Sequence, residues 1–194
     1  MPQPAFASES AVRPRRRTLP ARMGGVTLVE LMVTLAIVAV VVGLGAPSFL
    51  RVLARHAIAA QAEELQDAVR TGRSEAMRRS GPVVLCRTDA ASTGRCADSG
   101  GSWQTWLLFA DIDRNGTFNA GDSLLREHLD PSRRMTVASD AASIRFEATG
   151  IAHSEAGDTV IVLSPNDGDR VQQRKVCVNT RGEVAVVAGD AACP

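Results

Sequence analysis

The chain has 194 residues, a formal net charge of +1 and 45% hydrophobic residues, enough for one globular domain and an apolar anchor. Residues 1–25 contain five arginines and one glutamate, so the remainder carries 17 basic and 20 acidic groups. A net negative remainder gives no support to a general nucleic-acid-binding role.

An uncharged segment runs from Leu31 to Leu50, long enough to span about 30 Å of hydrocarbon as a helix. In a secretory signal peptide the cleavage site follows the apolar core, whereas here small residues precede it, so we predict that the segment stays on the mature protein. The arginines before it predict a cytoplasmic N-terminus and a periplasmic location for the residues after 51.

The stretch Gly25-Val26-Thr27-Leu28-Val29-Glu30, after an arginine-rich leader, resembles the signal of type IV prepilins. The resemblance implies that a prepilin peptidase, which is also the methyltransferase, cleaves after Gly25 and methylates Val26. Val26 stands where the family usually has phenylalanine. Residues 1–25 are therefore predicted to be a cleaved leader.

Glu30 is a carboxylate at the start of an apolar segment. Placing a charged side chain in a membrane costs free energy, so its presence there indicates a functional role. In the resembled family this glutamate pairs with the N-terminal amine of a neighbouring subunit, and such pairing offsets much of the desolvation cost. We predict that Glu30 sets subunit register. The alternative is a glutamate tolerated near the headgroups of the inner membrane.

One long helix is predicted from Val26 to Arg79, with a transmembrane half over residues 26–50 and an amphipathic half over 51–80. Pro47 is expected to kink or locally melt it, and in the resembled pilins a proline there marks where the helix loosens on assembly. Ser80-Gly81-Pro82 ends the helix. The apolar face predicted for the second half is Val52, Ile58, Ala59, Ala62, Leu65, Val69 and Met77.

Residues 81–194 show strand patterns separated by turn residues, which predicts a β-rich periplasmic domain. The fold class is α+β, a type IV pilin-like fold whose N-terminal spine helix packs on an antiparallel sheet. The predicted strands are Val83–Cys86, Trp103–Ala110, Leu124–His128, Arg134–Ala138, Ser143–Glu147, Val160–Ser164, Lys175–Asn179 and Glu183–Val187.

The end of the helix, with Arg73-Ser74-Glu75-Ala76 and then Arg78 and Arg79, resembles the FimT/GspH family of minor pilins and minor pseudopilins. The strand ending in Cys86 and the segment from Trp103 to Phe109 carry the same resemblance. It implies a structural subunit that initiates or tips a type IV pilus or a type II secretion pseudopilus. Other major and minor pilins or pseudopilins would be its partners, and no enzymatic activity is implied.

Four cysteines follow the anchor, and an even number in an exported segment favours disulfides. Three pairings are possible, and we predict Cys86–Cys96 with Cys177–Cys193 because each closes a short loop. A zinc site is the competing interpretation, which the absence of CxxC spacing and the scarcity of histidine disfavour.

An acidic loop has the ligand order of an EF-hand calcium loop, with a glycine at its sixth position. Its twelfth position is aspartate, shorter than the usual glutamate, and strands are expected on either side. We favour a turn without metal, and a structural Ca²⁺ is the alternative; no other cofactor is predicted. The candidate ligands are Asp111, Asp113, Asn115, Asn119 and Asp122.

Some FimT-type pilins bind DNA through C-terminal arginines, commonly in a Gly-Arg-x-Arg motif that this chain lacks. Neighbouring cations could contact phosphates, although no aromatic residue is nearby for base stacking. A solvated charged face is the favoured interpretation, and a DNA-binding minor pilin acting in DNA uptake during natural transformation is the alternative. The cations are Arg170, Arg174, Lys175 and Arg181.

The sequence contains no recognisable catalytic constellation. His56, His128 and His153 are scattered, and no GxSxG, HExxH or phosphate-loop motif is present. A secreted enzyme is therefore rejected.

Overall fold

The computed structural model describes residues 25–89, 94–129, 135–166 and 170–194, and it leaves the side chains of 44–48 and 50 undescribed. The predicted leader up to residue 24 lies outside this description. The chain divides into two compact units, one ending at Leu44 and the other spanning Gly45–Pro194.

Helix α1 spans Leu28–Arg79. It begins two residues later than predicted because Thr27 caps it: the Thr27 hydroxyl accepts the N–H of Glu30 at 3.2 Å, and its carbonyl accepts that of Leu31 at 3.1 Å. The backbone is helical across Pro47, so the predicted local melting does not occur in this structure. Over the residues whose side chains are described, no helical stretch is long and apolar enough to cross a membrane.

The end of α1 matches the predicted stop. Ser80 has a φ of 53°, and the N–H groups of Ser80 and Gly81 bond the carbonyls of Met77 and Ala76 at 3.4 and 3.2 Å. These two bonds form a Schellman motif, in which a left-handed residue lets the chain leave the helix with its last carbonyls satisfied.

The strands form two antiparallel five-stranded sheets, where the sequence predicted one sheet. The first sheet has the order β4-β3-β1-β6-β7 and the second β10-β9-β8-β5-β2. A 3₁₀ turn, Arg170–Gln172, precedes β9. The strands are β1 Val83–Arg87, β2 Gly101–Ser102, β3 Trp106–Ala110, β4 Ser123–His128, β5 Met135–Ser139, β6 Ser143–Phe146, β7 Ala152–His153, β8 Thr159–Pro165, β9 Arg174–Val178 and β10 Val184–Ala188.

Several strand predictions need correction. Residues 103–105 are not part of β3, and the two-residue strands β2 and β7 and the 3₁₀ turn were not predicted. The other boundaries that differ move by one residue, and the predicted first residue of β5, at 134, lies outside the described part.

The main core lies where α1 meets the inner faces of both sheets. The buried stripe of the helix recurs every three or four residues, as an amphipathic helix requires. Val52 and Met77, predicted to belong to it, are instead 48% and 45% exposed. The stripe consists of Ile58, Ala62, Leu65, Val69, Gly72 and Ala76, and Ala68 beside it is also fully buried.

A second, smaller cluster covers the other face of the first sheet. It contains Val84 and Cys86 from β1 with Leu107 and Phe109 from β3, and Phe118 packs against it. The rings of Phe109 and Phe118 are 5.2 Å apart. Because β1 and β3 are covered on both faces, every one of their residues is buried.

Both predicted disulfides are confirmed. Cys86–Cys96 joins β1 to the loop that follows it, and Cys177–Cys193 joins β9 to the C-terminal residues. Lys175 also holds the C-terminal residues, because its Nζ donates to the carbonyl of Ala191 at 3.1 Å.

Candidate functional site

The N-terminal segment presents its apolar side chains outward. Gly25 and Val26 are exposed ahead of α1, and the large apolar residues from Val26 to Val42 are each more than half exposed. A continuous apolar surface of this kind requires a lipid or protein environment. The segment is therefore suited to insertion or to helix packing, and not to contact with water.

Glu30 lies in the first turn of α1, where the positive end of the helix dipole favours a carboxylate. No described residue forms a hydrogen bond or ion pair with its carboxylate. This leaves the carboxylate available to a group from another chain. The role of Thr27 as helix cap was missed, although the spacing of Thr27 and Glu30 is that of a capping box and could have revealed it.

The acidic loop is organised by its first aspartate. The side chain of Asp111 is fully buried and accepts the N–H groups of Asn115 and Gly116 at 3.1 and 3.0 Å. Arg145 of β6, which the sequence did not single out, places Nη1 3.3 Å from Asp111 Oδ2. Burial raises the pKa of Asp111, against the hydrogen bond from Gly116 and the charge of Arg145.

The other acids of the loop are also bonded within it. Asp113 accepts the side-chain amides of Asn115 and Asn119 at 2.6 and 2.9 Å. Asp122 accepts the N–H groups of Ile112 and Asn119 at 2.9 and 3.0 Å. Burial works to raise the pKa of Asp113, and the hydrogen bonds from Asn119 and Asn115 outweigh it, so this pKa lies below its ordinary value.

The structure brings together three of the predicted calcium ligands, since carboxylate oxygens of Asp111, Asp113 and Asp122 lie within 4.8 Å of one another. Oxygen donors suit Ca²⁺. The hydrogen bonds and Arg145 also satisfy these carboxylates without an ion. The loop can therefore be explained as a turn, the favoured interpretation, and calcium binding stays the untested alternative.

The four candidate DNA-binding cations do not form one patch. Arg174 and Lys175 begin β9, whereas Arg181 lies in the turn after its other end, and the strand itself spans about 13 Å. Arg181 donates Nε and Nη2 to Glu183 Oε2 at 3.0 and 2.8 Å. Arg174 donates Nη1 to the Gln173 carbonyl at 3.0 Å and Lys175 donates to the Ala191 carbonyl. Of the four cations, Arg170 alone forms no side-chain hydrogen bond with a described residue, and it is exposed.

Comparison with known proteins gives two family matches. The model of the type II transport protein GspH matches residues 61–182, and that of the prokaryotic N-terminal methylation motif matches residues 21–46. The second range contains Gly25, Val26 and Glu30. No curated protein sequence matches the chain.

Solved structures with a similar fold include the type IV minor pilin FimU of Pseudomonas aeruginosa in two crystal forms. With the P21 form the identity is 17% and the TM-score 0.54, covering 72% of this chain and 94% of FimU. With the P65 form the identity is 16% and the TM-score 0.50, and the match covers 69% of this chain and 95% of FimU. The minor pseudopilin EpsH of the Vibrio cholerae type 2 secretion system has 11% identity and a TM-score of 0.48, covering 68% and 97%.

A long N-terminal helix that carries a methylation motif and is followed by antiparallel sheets defines a type IV pilin-like protein. The chain belongs to the GspH family of type II transport proteins, because that family model covers more than half of it. It is thus a member of the minor pilins and pseudopilins.

Proposed function

We propose that the chain is a minor pilin or pseudopilin that helps to initiate or tip a type IV pilus or a type II secretion pseudopilus. The observation that carries the proposal is the row of exposed apolar side chains between Val26 and Val42, inside a methylation motif. Such a row of exposed apolar side chains is a surface suited to packing against a lipid or another protein.

In this proposal residues 26–50 anchor the chain in the inner membrane, with the N-terminus cytoplasmic and the domain after residue 81 periplasmic. The prepilin peptidase cleaves after Gly25 and methylates the amine of Val26. The β-rich domain is displayed by the filament, and the role is structural, not enzymatic.

Glu30 pairs with the methylated amine of a neighbouring subunit and sets the register of helix packing. Support comes from its place in the first helical turn among exposed apolar side chains, without a partner among the described residues. Pairing two charges in an apolar setting offsets the cost of desolvating each. An unpaired carboxylate would disfavour the same packing.

The first experiment is N-terminal mass analysis of the protein from membranes, with and without the prepilin peptidase. We expect a peptide that begins at methylated Val26 only when the peptidase is present. A mature terminus after the apolar segment would contradict the proposal, since the anchor would then have been removed.

A second experiment separates processing from assembly. Glu30→Gln keeps the size of the side chain and removes its charge, so we expect normal cleavage and a loss of filament incorporation. Glu63→Gln, a change at an exposed position later in the same helix, is the matched control and should assemble normally. Equal incorporation of both variants into the filament would show that the charge of Glu30 is not needed for assembly.

A further inference from the structure

Arg73 of α1 lies where turns from the two sheets meet. The turn between β6 and β7 contains Gly150 at φ 82°, and the turn between β9 and β10 contains Gly182 at φ 73°. A Cβ on Gly182 would lie 2.3 Å from the Gly150 carbonyl oxygen and 3.3 Å from Arg73 Nε. The two turns are also joined by a bond from the N–H of Ala152 to the carbonyl of Thr180 at 3.0 Å. Arg73 is therefore held against two glycine turns that leave no room for a side chain.

The guanidinium of Arg73 is held in place but not satisfied. Its Nε is buried and has no hydrogen-bond partner, and the side chain forms no ion pair within the described residues. An unmet buried donor costs free energy, and the charge of Arg73 has no partner among the described residues. Arg70, one turn earlier and exposed, likewise has no hydrogen bond or ion pair to the described part of the chain.

Glu183, the acidic residue beside Arg73, is hydrogen-bonded to other residues. Glu183 stands beside Arg73, but its Oε2 accepts Asn179 Nδ2 at 2.8 Å as well as both bonds from Arg181. Hydrogen bonds from Asn179 and Arg181 lower the pKa of Glu183, and the charge of Arg73 adds a smaller contribution. Asn179 and Arg181 thus occupy Oε2 of Glu183, and this carboxylate forms no hydrogen bond with Arg73.

A surface cavity of about 280 Å³ opens at this point. Arg70 and Arg73 supply its positive charge, and Met77 and Val184 give it apolar walls. We propose that this cavity receives an acidic side chain of an adjoining filament subunit, whose carboxylate binds Arg73 and is attracted by Arg70. The inference rests on the proposed function for the identity of the partner.

Geometry and charge favour a single protein carboxylate. The planar guanidinium fork matches a carboxylate, and a site screened by apolar walls strengthens the pair. A nucleic-acid backbone would instead need a row of available cations. Arg78 and Arg79 nearby are already bonded to Glu75, so they do not extend Arg70 and Arg73 into such a row.

The test uses the full-length chain in cells that assemble the filament. A photo-crosslinking residue, benzoyl-phenylalanine, replaces Ser74, which lines the cavity and is exposed. We expect a crosslink to a subunit peptide that contains an aspartate or glutamate. Arg70→Glu should lower its yield about tenfold, since an attraction becomes a repulsion. Changing that acid to arginine should restore the yield in the Arg70→Glu chain.

Arg95→Glu is the matched control, because Arg95 is exposed, lies outside the cavity and forms no ion pair with the described residues. Arg73→Glu is measured in parallel together with its thermal unfolding, since Arg73 also packs against the glycine turns. A partner peptide without an acid, a yield insensitive to Arg70→Glu, or a crosslink to DNA would overturn the inference. If the N-terminus is methylated Val26 and the chain enters the filament but no crosslink forms, this inference fails and the proposed function stands.

Discussion

Gly72 of α1 lies directly against the ring of Phe146 in β6. A Cβ at Gly72 would lie 2.9 Å from Cδ2 and Cε2 of that ring and 3.0 Å from Leu108 Cδ1. Phe146 and Leu108 are both fully buried, so neither can move aside into solvent. The glycine sets how closely the helix approaches the first sheet.

Gly72→Val is therefore expected to destabilise the protein by about 1–3 kcal/mol through overpacking. Ala60→Val, at an exposed position of the same helix, is the control for the helix propensity of valine. Thermal unfolding of the full chain in detergent measures both. A melting temperature of Gly72→Val equal to or above that of the wild type would show that the approach is not tight.

The helix and its buried stripe could be predicted from sequence because their period is local. Gly72 escaped that analysis because glycine carries no hydrophobic signal, and its role depends on Phe146, far away in sequence. The division into two sheets was also missed, since alternation reveals the faces of a strand but not its neighbours. Strands of two residues, such as Gly101–Ser102, are too short for any pattern.

The candidate sites show the same contrast between features that are local in sequence and features that are built from distant residues. Gly25, Val26 and Glu30 form a contiguous motif, which a sequence displays directly. The surroundings of Arg73 come from α1 and two distant turns, so spacing along the chain could not predict them.

Glu75 gives a pH dependence of known sign. Hydrogen bonds from Arg78 and Arg79 lower its pKa from 4.5 to about 2. Because the folded pKa is the lower one, this carboxylate stabilises the fold above pH 4.5, and the contribution is lost as the pH falls toward 2. Glu75→Gln should lack this component, so its melting temperature should fall less than that of the wild type across this range.

Salt should reduce the difference between wild type and Glu75→Gln, because the arginines and Glu75 lie at the surface. Glu63→Gln, which removes an exposed acid without a hydrogen bond in the described structure, should follow the wild-type curve. Parallel curves for wild type and Glu75→Gln would refute this assignment.

The two disulfides should differ in their contribution to stability. A cross-link of this size contributes about 2–4 kcal/mol, and loop length alone favours Cys177–Cys193 by only about 0.4 kcal/mol. Cys86 is fully buried beside Phe109, however, whereas Cys193 is exposed. We expect replacement of Cys86 and Cys96 by alanine to lower the urea midpoint more than replacement of Cys177 and Cys193. A larger loss of urea midpoint on replacing Cys177 and Cys193 would show that loop entropy outweighs the burial of Cys86.

The acidic loop should be stable without calcium, because its carboxylates are already bonded to N–H groups and Arg145. We expect the same melting temperature in millimolar Ca²⁺ and in EDTA, with Mg²⁺ as the control for ionic strength. A rise specific to Ca²⁺ that grows with its concentration would instead establish binding to the folded state. In that case Asp111, Asp113 and Asp122 are the first residues to replace.

DNA binding can be tested directly, because contacts to phosphates weaken steeply with salt. Arg181 is bonded to Glu183 and Lys175 to the Ala191 carbonyl, and Arg174 and Arg181 lie at opposite ends of β9, which is about 13 Å long. We therefore expect no salt-sensitive mobility shift of duplex DNA by the full chain in detergent. A shift that disappears when Arg170, Arg174 and Arg181 are all changed to glutamate would support the DNA-uptake alternative. A shift that survives this triple change would assign DNA contact to another face, where Arg70 and Arg73 would be the next cations to reverse.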